Sequence, residues 1–241
     1  MSLVPRQQPE QQAPPVQRLR VRYAKRGRAR FTSHRDFCRA FERALRRAQI
    51  PMAYSSGFNP HPRISYANAS PTGASTEAEY LEIGLAEVCQ PERVREALDA
   101  ALPPGLDVIE VVAAGSPGAA SLTDLLEASR WHVDLVTTPA GVLAEAVATF
   151  LASPEVSVAR MTKTGLRTFD ARAAVRSLEV VGEHELEMVT VHGTPLVRPD
   201  DIVSALREVD SRLASDQPPL LLRISQGPLV DDQIRDPLAS D

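Results

Sequence analysis

The chain has 241 residues, 43% of them hydrophobic, and a formal net charge of −4, enough apolar material for one large core or two small ones. No apolar run reaches the roughly 18 residues that a membrane helix needs, and no hydrophobic signal core follows the N-terminal charges. The two cysteines, Cys38 and Cys89, have no CxxC neighbour, which excludes a cysteine-held zinc or iron-sulfur site, so the expectation is a soluble cytoplasmic protein of two small domains with no metal or cofactor.

Residues 1–17 hold four prolines and five glutamines with little to bury and read as a disordered tail. Leu19, Val21 and Tyr23 then alternate with Arg18, Arg20 and Arg22, the pattern of a strand with one apolar and one guanidinium face. Ser33, three residues before Asp36, is a capping-box-like start, and Phe37, Cys38, Phe41, Ala44, Leu45 and Ala48 recur at helical spacing. The spacing predicts an amphipathic helix over 34–48, with Arg35, Arg39, Arg43 and Arg46 stacked along its outer face and Arg47 beside them. From Arg18 to Gln49 twelve basic residues face only Asp36 and Glu42, a net of +10 that leaves −14 for the rest of the chain. Such asymmetry presents one basic region to an anionic partner, nucleic acid first and an acidic protein surface second.

The loop Tyr54-Ser55-Ser56-Gly57-Phe58-Asn59-Pro60-His61-Pro62-Arg63 comes next, stiffened by a glycine and two prolines. As an RNA-binding loop, Tyr54 and Phe58 would stack on bases, Asn59 would read a base edge, and Arg63 with the helix arginines would hold phosphates. As a structural loop, it would bury Phe58 as a core plug, cap a turn with Asn59 and satisfy a carbonyl with His61. An imidazole titrates near neutrality, so His61, with His34 as its one possible companion, is the weak candidate for acid-base strand cleavage; no carboxylate stands beside either in sequence.

Strands are expected at 63–67 and 79–85, a helix opening at Pro91, and a strand at 106–113. Glu77, Glu79 and Glu82 in this stretch read as a solvated edge or as partners of nearby arginines. The order β-α-β-β-α-β is that of a ferredoxin-like split βαβ sandwich. The second half repeats it: strands at 131–136 and 156–161, a helix from Pro139, an irregular or short helical stretch over 170–178, strands at 186–192 and 220–225, and a helix opening at Pro199. The predicted fold is therefore α+β, with two tandem ferredoxin-like (βαββαβ) units, each an antiparallel sheet with helices on one face, at residues 18–114 and 130–227. A linker with a short helix capped by Ser121 covers 115–129, and 228–241 reads as an acidic disordered tail. Lys163, Arg167, Arg172, Arg176 and Arg198 form a weaker basic set, of which Lys163 would extend the RNA groove; His132, His184 and His192 have no ligand spacing and read as structural. Phosphate-loop, dinucleotide, HExxH and nucleophile-elbow motifs are all missing, so no nucleotide cofactor is expected.

The run from Phe31 to Leu85 resembles the opening of the radical-SAM-associated domain family, with Ser33-His34, Arg46-Arg47, Ser55 to Pro62 and Glu79-Tyr80-Leu81 as hallmarks and Lys163-Thr164-Gly165 followed by Asp170-Ala171-Arg172 as a later one. The resemblance implies a separate radical SAM enzyme as partner, because this chain has no cysteine triplet for an iron-sulfur cluster, and it carries no established catalytic residues. A looser likeness, at the level of fold, is to the ferredoxin-like endoribonucleases of CRISPR systems. Three functions follow: a noncatalytic RNA-binding or substrate-presenting accessory in RNA or ribosome-linked modification, a metal-independent RNA endonuclease, and a protein-docking adaptor that never touches RNA.

Overall fold

Alternation along residues 18–23 separates apolar from cationic side chains only if the backbone is extended. In the computed structural model, which describes residues 11–115, 120–136, 138, 141–162 and 165–239, β1 (Gln17–Lys25) turns Leu19, Val21 and Tyr23 into a core. α1 (His34–Arg47) starts at Ser33, whose Oγ accepts from the Asp36 amide, and buries Phe37, Phe41, Ala44 and Leu45 against that same face. Phe37, Phe41 and Leu45, withdrawn from water, contribute about 1.5–3 kcal/mol each, which adds to the modest intrinsic helix propensity of the segment. β2 (Ile64–Ala67), β3 (Ser75–Leu85), α2 (Pro91–Ala101) and β4 (Leu106–Ala113) complete the first half. Both helices cover one face, with Leu81 and Ile83 of β3 and Val94 and Leu98 of α2 in the shared core.

The second half follows α3 (Leu122–Leu125), which is capped by the Ser121 side chain as expected. It comprises β5 (Ala128–Asp134), α4 (Val142–Ala152), a hairpin of β6 (Ser157–Thr162) and β7 (Gly165–Asp170), then β8 (Val175–Val180), β9 (Glu185–Val191), α5 (Pro199–Val209) and β10 (Leu220–Gly227). Its core joins Trp131 and Val133 to Leu143 and Phe150 of α4 and Ile202 and Leu206 of α5. The expected helix start at Pro139 lies outside the described residues.

The architecture is mixed α/β, built on one large mixed sheet of eight strands rather than on two separate sheets. Its order is β4-β1-β3-β10-β5-β9-β8, with β2 also on β3. β3 is longer than its partner β2, which covers only Tyr80 to Ile83; the first residues of β3, Ser75 and Thr76, are left open on that edge. Leu222 and Arg223 of β10 fill that gap in parallel, so an edge that would otherwise expose unmet backbone groups becomes the junction of the two halves.

The structure corrects the reading in four other places. Residues 157–162 do not join the large sheet but pair with 165–170 in their own two-stranded hairpin, and the stretch expected to be irregular or helical contains β8. Val175 and Leu178 are both buried although three residues apart, because the register shifts between Val175 and Ser177; the bulge gives a strand the apolar spacing of a helix. In the segment expected as an acidic tail, β11 (Leu229–Val230) pairs with β12 (Gln233–Ile234), and Leu238 is buried beside Leu122, Leu126 and Tyr80. At the other end, Val16 donates its amide to the Leu85 carbonyl and Pro15 packs on Gly84, so ordered chain begins before residue 18. No helix among the described residues is long and apolar enough to cross a membrane.

Candidate nucleic-acid interface

A helix with a 3.6-residue repeat that buries Phe37, Phe41 and Leu45 must turn residues 35, 39, 43 and 46 outward. Arg35, Arg39, Arg43 and Arg46 are all exposed, and none of their side chains has a hydrogen bond or ion pair to another described residue. At 1.5 Å per residue they form a cationic ridge about 16 Å long. Arg47, also exposed, donates to the Ala101 carbonyl at 3.0 Å and so ties α1 to the end of α2.

The strand arginines have a different fate. Arg18 and Arg20 both reach Glu82 at 3.5 Å, Arg20 donates to the Ala120 carbonyl, and Arg22 donates to the Glu77 carbonyl. Arg26 is held by Glu77 and Asp107. The +10 of the sequence segment is thus partly neutralised inside the fold, and the exposed arginines without a partner among the described residues are the α1 row and Arg28 rather than all of residues 18–47. Glu77 and Glu82 serve these arginines, as the sequence suggested.

The loop after α1 is closed by its own backbone. Tyr54 bridges Pro62, Ser55 donates to the His61 carbonyl at 2.9 Å, and the His61 amide donates back to Ser55 Oγ at 3.0 Å. Arg63 braces it through Nε to the Tyr54 carbonyl at 3.2 Å, leaving its other donors outward. Gly57, at φ +130, makes the turn that side-chain-bearing residues avoid. Phe58 is 69% exposed and is no core plug; Tyr54, Asn59 and His61 are exposed as well, and the side chains of Asn59 and His61 touch no polar group among the described residues. A stiff loop that leaves its aromatic and amide groups in water is a candidate binding surface.

His34 sits apart from that loop. Its ring meets Tyr66 edge-on at 5.2 Å and its Nε2 lies 3.6 Å from Cys38 Sγ, whose thiol burial pushes up. Neither His34 nor His61 has a carboxylate partner among the described residues. Lys163 lies outside the described residues. Of the remaining basic set, Arg176 pairs with Asp232, Arg172 donates to the Val175 carbonyl and Arg198 stands at the start of α5, so these residues brace separate elements and do not gather into one groove.

Sequence reasoning missed a polar cavity of about 610 Å³ on the helical side of the junction, between the N-terminal ends of α1 and α5. His34, Asn68, Ser70, Ser129, His192 and Arg223 are among its lining. Arg223, 3% exposed, pairs with Glu79 at 3.3 Å, donates to the Asn68 carbonyl at 2.8 Å and lies 4.7 Å over the Trp131 ring. Burial pulls its guanidinium below the ordinary arginine value, with Glu79 opposing. Behind it Lys25, also buried, is shifted down by burial, with Glu79 again opposing. His192 is pulled down by burial, against a bond to the Leu126 carbonyl, and is therefore neutral near pH 7. Its Nδ1, 2.5 Å from Leu126 O, must carry the proton, which leaves Nε2 to accept from Ser129 Oγ at 2.8 Å. One signal was available: Arg223 interrupts the apolar run Leu220-Leu221-Leu222 before Ile224, where an arginine is either exposed or buried with a partner.

The bacterial family described as uncharacterized protein conserved in bacteria (DUF2344) matches residues 18–199, a span that takes in α1, the loop and β9. No curated protein matches the chain.

Proposed function

Because the chain belongs to the DUF2344 family, with α1 and the loop after it inside the matched span, we propose that this protein binds RNA without cutting it, as an accessory or substrate-presenting partner in RNA modification. The observation that carries the reading is the α1 ridge: Arg35, Arg39, Arg43 and Arg46 spend no charge on any described residue of the protein. Phosphate contacts from such a ridge supply affinity without sequence preference, and the exposed Tyr54, Phe58 and Asn59 supply stacking and base-edge contacts. Binding is favoured over cleavage because, among the described residues, neither His61 nor His34 has the carboxylate that would orient a general base. The tandem ferredoxin-like reading belongs to the same proposal: the orders β4-β1-β3-β2 and β10-β5-β9-β8 are what two such units would give, with the β6–β7 hairpin as an insertion. So does the radical SAM partner, which rests on the sequence resemblance.

The purified protein, incubated with total cellular RNA, should retain RNA on a filter and leave it intact on a gel. Strand cleavage that disappears in His61→Ala would replace this reading with an endonuclease. Absence of any retained RNA at physiological salt would assign the ridge to an acidic protein.

A further inference from the structure

We propose that the cavity between the two halves binds a ribonucleoside monophosphate unit, either a free nucleotide or the phosphorylated end of an RNA strand that lies along α1. The strand-end source rests on the RNA reading above; the site itself does not.

Four observations converge on that ligand. The first is volume: about 610 Å³ lies within the range that encloses a small organic ligand and is far more than one inorganic anion fills. The second is charge. Arg198 and Arg223 line the cavity against one carboxylate, Asp200, while Lys25 and Glu79 behind them cancel, so the site holds an excess positive charge. The third is a set of unmet donors. Among the described residues, Ser70, 8% exposed, has no partner for Oγ, and Arg223, although its NH1 is spent on Glu79 and Asn68, has none for Nε. Buried donors left without acceptors are costly, and a phosphoryl oxygen satisfies both kinds. The fourth is an unmet acceptor: Asp200 Oδ1 is buried without a hydrogen bond among the described residues. A bare anion would be repelled there, whereas a sugar hydroxyl donates to it. Phosphate and hydroxyl on one molecule specify a sugar phosphate, and the apolar wall of Pro71, Leu196, Val197 and Pro199 offers the remaining space to a base.

The geometry also links the cavity to α1. His34, the first residue of that helix, lines the cavity, and the ridge starts at the next residue, Arg35. An RNA strand held along the ridge has its terminal nucleotide at the cavity mouth.

Trp131 is the single tryptophan of the chain, lines this cavity and lies beneath Arg223, so its fluorescence reports on this site alone. Titration of the full chain with AMP and UMP should give a saturable change in emission. Adenosine, which lacks the phosphate, and inorganic phosphate, which lacks the sugar, should each bind at least about tenfold more weakly. Ser70→Ala and Asp200→Asn should each weaken AMP by a similar factor while the thermal melt stays cooperative. No saturable response to AMP or UMP at millimolar concentration overturns the proposal, as does AMP binding that both variants leave unchanged. Competition between AMP and a 5′- or 3′-phosphorylated oligoribonucleotide, absent with the unphosphorylated strand, assigns the strand end as the source. AMP binding without any RNA binding leaves the site standing for free nucleotides and overturns the RNA reading alone. The converse, RNA binding without AMP binding, removes the cavity and keeps the ridge.

Discussion

Glu79 is the residue on which the junction turns. It is 1% exposed and stands between two buried cations, Lys25 of its own half and Arg223 of the other, and both its oxygens accept from the Ser70 amide. Removing it would strand both charges in a poorly solvated environment, so Glu79→Ala should cost about 3–5 kcal/mol in urea unfolding. Glu77 offers the control: its pair with Arg26 is substantially exposed, and Glu77→Ala should cost about 1 kcal/mol or less. Equal losses from the two substitutions would contradict this account of the junction. In the sequence the two glutamates look alike, both alternating with apolar residues and both near arginines. What separates them is a partner 144 positions away that arrives only through the parallel pairing of β10 with β3. Residue-scale features that depend on local spacing were legible, such as the Ser33 cap and the outward row of α1 arginines; those that depend on long-range pairing, such as the Ser129–His192 bond, were not.

At the scale of elements, α1, α2 and α5 could be read because each buries a stripe at helical spacing behind a capping residue or a proline. β8 was misread because its bulge sets Val175 and Leu178 three apart, and β7 was not assigned because Leu166, near its start, is 66% exposed and provides no buried alternation. The C-terminal segment was misread for a third reason. Its aspartates dominate the composition, but its contribution to packing comes from one residue, Leu238, delivered by a two-stranded turn. That segment closes on Gly227, where an added Cβ would collide with the Arg235 carbonyl and press on Pro237. Gly227→Ala should therefore release residues 228–239 and expose Leu238, which limited proteolysis would detect as cleavage near Arg235 in the variant and not in the parent. A parent cleaved there equally fast would mean that the segment is not held as described.

For the whole molecule the central fact is a division of charge. Of the twelve basic residues between Arg18 and Gln49, the β1 arginines and Arg26 are absorbed by Glu77, Glu82, Asp107 and backbone carbonyls and Lys25 faces Glu79, while the α1 row has no side-chain partner among the described residues, in a chain whose net charge is −4. The cavity is met by α1 at His34, the residue before the first arginine of that row. The sequence located the charge but not its division, because which arginines remain free is decided by strand register, Arg20 opposite Glu82 above all.

The most direct test of the account is the salt dependence of binding to a single-stranded RNA, measured for the parent protein and for Arg39→Glu/Arg43→Glu. The account predicts a steep fall of affinity with salt for the parent, a slope of about −0.7 per phosphate neutralised, and binding reduced to near background in the variant, with thermal stability within about 1 kcal/mol. RNA affinity and salt slope that survive the double charge reversal would contradict the placement of the interface on α1.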